Sequence, residues 1–285
     1  MSFFSLDNIF FEKYNSCMNY LSAVKSVAFT IGKFDVYWYG IIISLSIVVA
    51  VLVATLLCKL RKYNTDMPLN IALVILPTGI LCARLFAVLF DSSMSISEFF
   101  DFRSGGMSII GAVIGGGLGL LVFLLLKKEK DMLRYFDTLT VVLILAQAIG
   151  RWGNYFNDEV YGQVIEASSK WATFPFAVAI DGVFYQALFF YEFVLNMIGF
   201  VILAILFLKT NKSGYVTSAY LIYYGIVRTI LEPLRAEKYI LKLAGLPISQ
   251  VCSIIMIVCG VTMLVYTIYK TKKSKEVRYE QKVKK

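Results

Sequence analysis

An all-α membrane protein of about seven spanning helices is the fold the sequence predicts, and three observations carry the prediction. Hydrophobic residues make up 59% of the chain and charged residues only 16%, against about 45–50% and about 25% in soluble domains. The mean hydropathy is +0.72, more than a single soluble core of 285 residues can absorb. The apolar residues are gathered into seven long runs separated by short polar, often basic gaps. Together these exclude an ordinary soluble enzyme, a disordered chain and a disulfide scaffold.

Residues 1–36 mix polar and apolar side chains and lack the basic start, apolar core and small-residue cleavage site of a signal peptide. They are expected to form an external N-terminal segment. The runs follow at 37–58, 69–90, 107–126, 133–150, 184–208, 215–232 and 248–269, each near the roughly 20 residues a helix needs to cross the hydrocarbon layer. The fourth is the weakest because Asp137 lies near its start. In the third, Gly111, Gly115 and Gly119 recur at intervals of four, beside Gly116 and Gly117. That spacing lets two helix backbones approach closely; a smooth wall beside a lipid is the other reading. Residues 37–269 are thus read as one transmembrane domain with an external loop at 151–182, and residues 270–285 as a basic tail. Internal repeats are not visible, so an inverted-repeat transporter gains no support.

Charge sets the orientation. The gaps 59–68, 127–134 and 209–214 together with the tail carry 17 of the 28 Lys and Arg, whereas the longer alternate set carries 9. The excess marks the cytoplasmic side, so the N-terminus is expected outside and the C-terminus in the cytoplasm. The net charge of +9 therefore points to topology and contact with anionic lipid rather than to nucleic acid. The five cysteines form no CxxC pair and four sit in apolar runs, which marks them as packing residues. Histidine is absent. No imidazole base is available, most zinc-type ligand sets are removed, and no metal is expected.

Ionisable groups at membrane depth cost about 2.5–3.5 kcal/mol each on insertion scales, so Arg84, Arg151, Glu192, Arg228 and Glu232 stand out. Structural ion pairing is the plain explanation for them. Arg228 and Glu232, four apart, share one face of the sixth run with Tyr224. Pro233 disfavours helical geometry at Glu232 and is expected to break the helix there, with Arg235 just beyond. Such a cluster suits a phosphate, because guanidinium forks match its oxygens. The densest polar stretch is Gly150–Gly162, GRWGNYFNDEVYG, expected to open the external loop. So many hydrogen-bonding groups around an Arg fit a polar site at the membrane–water boundary better than a loop cap.

That stretch resembles the signature of the bacterial prolipoprotein diacylglyceryl transferases, approximately G-R-x-G-N-[FY]-x-N-x-E. The resemblance extends to Trp38-Tyr39-Gly40, Ala83-Arg84-Leu85, Gly105-Gly106-Met107-Ser108, Tyr191-Glu192, the Arg228–Glu232–Arg235 run and Ser249-Gln250. It implies an enzyme of the bacterial cell membrane that moves the diacylglyceryl group of phosphatidylglycerol onto the lipobox cysteine of preprolipoprotein signal peptides, with no metal or soluble cofactor. Within that reading Arg151 and Arg228 suit the phosphate, Asn154 and Asn157 the glycerol or phosphate oxygens. Glu159 is expected to orient Arg151, and Glu232 to orient Arg228. Gly153 and Gly162 would admit close approach of backbone and lipid. Tyr39, Arg84 and Arg235 complete the expected substrate-binding set, with Arg151, Arg228, Glu159 and Glu232 as the expected catalytic residues. The chain departs from the family at Ile110, where His or Tyr is usual, which keeps a weakened paralogue in view. A lipid or small-anion transporter is the reading from another class. It requires a polar path through the membrane, and the inner halves of the runs read as nearly free of polar groups.

Overall fold

The computed structural model describes residues 26–283 except 91–93, 102–105, 130, 241 and 244. Among the described residues seven α-helices form: α1 Trp38–Leu60, α2 Met67–Phe90, α3 Ile109–Leu126, α4 Met132–Phe156, α5 Leu188–Lys209, α6 Tyr215–Leu231 and α7 Ile248–Val283. Each answers to one apolar run. Among the described residues six are long and apolar enough to cross a membrane; α6, with 17 residues, is the shorter seventh. The chain is a multi-pass membrane protein. α7 continues far beyond the apolar run into the basic tail, since Lys, Arg and Glu are good helix formers wherever no breaker intervenes.

The chain divides into two compact units, Met1–Ala50 with Leu139–Lys285, and Val51–Thr138. In the unit of residues 51–138, α2 and α3 pack along one another, and the glycine stripe makes that possible. A Cβ on Gly111 would strike the Cys82 carbonyl oxygen, one on Gly115 the Cys82 side chain, and one on Gly119 the Thr78 hydroxyl. Gly117, off the stripe, has nothing within 4 Å. The close-packing reading of these glycines therefore holds. Arg84 in α2 is fully buried. It donates through Nη1 to the Gly106 carbonyl (3.0 Å) and through Nη2 to the Asp101 carbonyl (2.6 Å). Ser108 then opens α3, accepting from the Gly111 amide at 3.3 Å as an N-cap. At the other end of this unit Arg134 pairs with Glu129 at 3.0 Å and lies over the rings of Tyr63 and Tyr135.

In the larger unit α5 and α7 flank α6. Gly225 admits Ser253 and Ile257 of α7, and Gly260 admits Leu221 and Ile222 of α6. Gly199 of α5 seats the Tyr223 ring and Ile144 of α4. The apparent weakness of the fourth run has its reason here. Half of its most apolar window is buried inside the protein, against 17–28% for the other five. A helix enclosed by protein needs less apolar surface than one facing lipid. Three small antiparallel sheets, which the run pattern does not reveal, complete the unit among its described residues. β1 (Val27–Ile31) and β2 (Phe34–Tyr37) form a hairpin directly before α1. β3 (Val164–Ile165), β4 (Ala177–Ile180) and β5 (Val183–Gln186) form a sheet of order β3-β5-β4. Its β4–β5 turn is Asp181-Gly182, both at positive φ, as a tight hairpin turn requires. β6 (Lys242–Leu243) pairs with β7 (Leu246–Pro247). Residues 1–25 of the expected N-terminal segment, with Cys17, lie outside the described residues.

Candidate active site

The polar signature does not open a loop, as its composition suggests, but completes a helix. α4 continues through Gly150–Phe156, and its faces sort the side chains. Trp152 meets Phe189 and Phe193 of α5, at ring-centroid distances of 5.4 and 5.6 Å. Phe156 stacks on Trp38 at 5.1 Å, tying the end of α4 to the start of α1. Arg151 and Asn154, three apart, stay together on another face. Gly153 is required by the Tyr39 ring: a Cβ there would lie 2.6 Å from Tyr39 Cδ2. The close approach at this glycine is thus a tyrosine's rather than a lipid's.

Beyond Phe156 the chain turns sharply. Asp158 (φ 49°) and Val160 (φ 56°) are both left-handed, the latter unusual for a β-branched residue and worth about 1–3 kcal/mol of strain. Burial and the nearby Asp181 carboxylate raise the Asp158 pKa above the ordinary aspartate value. Between these two residues Glu159 is held by its amide on the Asn154 carbonyl (3.1 Å), while its Oε1 accepts from the Asn157 side-chain amide (3.5 Å). The following strand is stitched on both sides. Gly162 N donates to Gln186 O, Gln163 N to Leu234 O and Ala236 N to Tyr161 O, at 2.9–3.1 Å. Gly162 bridges Arg235 in this ladder, and a Cβ on it would sit 2.7 Å from Gln186 Cβ. The ladder sets Arg235 relative to the end of α4.

α6 stops where Pro233 predicts. Glu232 nevertheless keeps right-handed helical dihedrals and caps the helix, and Glu232–Leu234 tighten into a 3₁₀ turn. One turn earlier, Arg228 Nη1 donates to Glu192 Oε1 at 3.0 Å. Its Nη2 donates to Glu232 Oε2 at 2.9 Å and to Ser249 Oγ at 2.7 Å. Arg151 Nε lies 2.5 Å from Glu192 Oε2, close as charges but without the alignment of a hydrogen bond, so that Oε2 accepts none. Arg235 completes the group, 3.7 Å from Glu192 Oε1 and 3.9 Å from Glu232 Oε2. Burial, with Arg228 beside it, pushes the Arg235 guanidinium below its ordinary pKa, from a starting value so high that it remains charged. The Tyr224 hydroxyl meets the Arg151 guanidinium.

Three guanidiniums therefore converge on Glu192, which is 2% exposed. The expectation that Glu159 orients Arg151 is corrected: Glu192 from α5 takes that part, while Glu159 is tied to Asn157. Glu232 accepts from Arg228 Nη2, the contact on which the expected orienting part rests. Asn154 is buried, and its carbonyl accepts from the Glu159 amide. Arg84 belongs to the other unit, where backbone carbonyls engage it. Glu192 and Ser249 stand in the cluster but outside the expected catalytic and substrate-binding sets. Both had a signal, in the buried acid of Tyr191-Glu192 and in Ser249-Gln250, but only geometry shows Glu192 to be the common partner.

The half of α4 that ends in the signature and the half of α5 that follows the external loop hold further buried polar groups. Gln147 Nε2 donates to Tyr220 Oη at 3.1 Å, and Asn196 is buried with its Oδ1 unpartnered. These pairs are satisfied within the bundle or isolated, because an enclosed helix tolerates polar groups that lipid would not.

A family model described as prolipoprotein diacylglyceryl transferase matches residues 26–266. A phosphatidylglycerol–prolipoprotein diacylglyceryl transferase of Clostridium kluyveri is 35% identical over 246 residues, covering 84% of this chain and 95% of that protein. A protein of the same name from Clostridium botulinum (strain Langeland) is 35% identical over 259 residues, 89% of this chain and 99% of its own.

Proposed function

The chain belongs to the prolipoprotein diacylglyceryl transferase family, and from that premise we propose that it transfers the diacylglyceryl group of phosphatidylglycerol to the lipobox cysteine thiol of preprolipoproteins in the bacterial cell membrane. The observation that carries the proposal is the convergence of Arg151, Arg228 and Arg235 on one buried carboxylate, an arrangement preorganised for a phosphate in a low-dielectric setting.

In this reaction the thiol sulfur bonds to the glycerol carbon, the carbon–oxygen bond to phosphate breaks, and glycerol 1-phosphate leaves. Negative charge grows on the phosphate as that bond opens. Fixed guanidinium donors bind it more tightly then than before, which is what lowers the barrier. The chain has no histidine, so the thiol proton passes to water, to the departing phosphate or to a carboxylate such as Glu159. The arginines also favour the thiolate, whose free pKa is about 8.5. Asn154 serves as a donor to glycerol or phosphate oxygens.

Purified protein incubated with phosphatidylglycerol and a lipobox peptide should add the diacylglyceryl mass to the peptide; an unchanged peptide mass would overturn the reading. The orientation belongs to the same proposal, with the end of α4 outside and Lys127–Arg134 in the cytoplasm. An impermeant thiol reagent on intact cells should label Ser168→Cys and spare Lys128→Cys.

A further inference from the structure

The β1–β2 hairpin stands directly before α1, and its register sorts its side chains by face. Phe29 pairs with Val36 and Ile31 with Phe34, so these four apolar residues share one face. Thr30 pairs with Asp35 on the other face, where the Thr30 hydroxyl donates to Asp35 Oδ1 at 2.8 Å. Gly32, at φ 63°, turns the chain and leaves Lys33 at the tip. Neither strand pairs with a third among the described residues. Phe29 is 50%, Ile31 63% and Phe34 54% exposed, so half or more of each is left uncovered. A two-stranded hairpin with its apolar face uncovered is marginal in water.

The base of the hairpin fixes where it stands. The amide of Trp38, the first residue of α1, donates to the Ser26 carbonyl at 2.9 Å, and the Trp38 ring stacks on Phe156 at the end of α4. Tyr37 and Trp38 are 50% and 37% exposed, and such rings favour the level of the lipid headgroups. α1 itself is long and apolar enough to cross a membrane, and it leaves Leu45 and Val48 more than half exposed. The hairpin therefore joins the membrane-crossing part of the chain at the boundary between lipid and water. From this we infer that it is an interfacial anchor. Its Phe29–Ile31–Phe34–Val36 face rests in the headgroup and acyl boundary of the bilayer, and its Thr30–Asp35 face looks to water. Lipid is the occupant because the apolar face is continuous with α1, which meets lipid already, and a large apolar patch left bare on a protein marks a contact surface. Lys33 and Asp35 offset each other in charge, so apolar burial outweighs attraction to anionic headgroups. Seated in this way, the hairpin holds the start of α1 and the end of α4 near the level of the lipid phosphates.

The test sets cysteines on one face against cysteines on the other: Phe29→Cys and Ile31→Cys, then Thr30→Cys and Asp35→Cys, one at a time in a full-length chain whose five native cysteines are alanine. Each carries a polarity-sensitive fluorophore and is reconstituted in vesicles of phosphatidylcholine and phosphatidylglycerol, with iodide available on both sides of the membrane. At 29 and 31 the emission should shift to the blue and be quenched by lipid bearing a nitroxide high on the acyl chain, because an interfacial face sinks about 5–10 Å into the headgroup and acyl boundary. At 30 and 35 iodide should quench instead. Quenching by iodide at all four positions would overturn the anchor. So would protection from both quenchers at 29 and 31, which would put protein on that face, whether residues 1–25 or a second copy of the chain. The unaltered protein gives an answer that needs no variant to fold. Phosphatidylglycerol carrying a diazirine high on an acyl chain should crosslink to Phe29–Val36 as well as to α1, and labelling of α1 alone would overturn the anchor. Neither readout requires transfer, so loss of the transferase reading leaves both standing.

Discussion

Arg84 and Arg228 are both arginines buried in helices of a membrane protein, yet they are used in opposite ways. Arg84 meets neutral backbone carbonyls, at Asp101 and Gly106, in the unit of residues 51–138. Its guanidinium fastens the segment that leads into α3. Arg228 meets two carboxylates and a serine hydroxyl within the larger unit, in a group whose charge is not fully balanced. A cation satisfied by carbonyls is a staple for the chain. Cations gathered in excess around carboxylates are, on the function proposed above, a receptor for an anion. The cost of burying a charge marks both residues as unusual, and only their partners tell them apart.

The largest effect that would break this contrast is on the rate. Arg228→Gln, which loses one charge-assisted contact to the developing phosphate charge, should slow transfer by about 100- to 1,000-fold, or roughly 2.7–4 kcal/mol. Thermal melting in detergent separates this from misfolding; a folded variant with full activity removes Arg228 from the site. Arg84→Gln should act on stability instead. With two carbonyls losing their donor, unfolding should become easier by about 1–3 kcal/mol, while kcat of the folded fraction holds. A lower kcat at an unchanged Tm would return Arg84 to the substrate-binding residues.

Smaller effects sharpen the picture of the residue 51–138 unit as a packed support. Gly115→Ala pushes a methyl into Cys82 and Thr78 and should destabilise the protein by about 1–3 kcal/mol. Gly117→Ala, with open space around it, should be neutral or slightly stabilising, since alanine is the better helix former. Equal melting shifts for the two would remove the α2–α3 glycine contact as the reason for the stripe. The smallest effect is expected at Ile110, which is half exposed in the first turn of α3. Ile110→Val should leave transfer unchanged, and Ile110→His should bring no large gain. A strong activation with a new titration near neutral pH would show that a base belongs at this position.

Reading the chain alone determined the helices and the family. The seven apolar runs are long and well separated, and hydrophobic burial in lipid or protein leaves such segments no alternative to helix, because the backbone must satisfy its own hydrogen bonds there. The signature residues were legible because polar groups at the end of an apolar run are conspicuous. Their arrangement was not. Nothing in the spacing of GRWGNYFNDE says that Arg151 turns to an acid about 40 positions on rather than to the nearby Glu159. That choice depends on α5 bringing Glu192 to the end of α4, and on the Gly162 ladder drawing Arg235 to the same point. Local sequence governs which segments are helical, through propensity and hydrophobic length. Pairing between distant charges follows from how the helices pack, and at low dielectric the nearest carboxylate wins whatever its place in the chain.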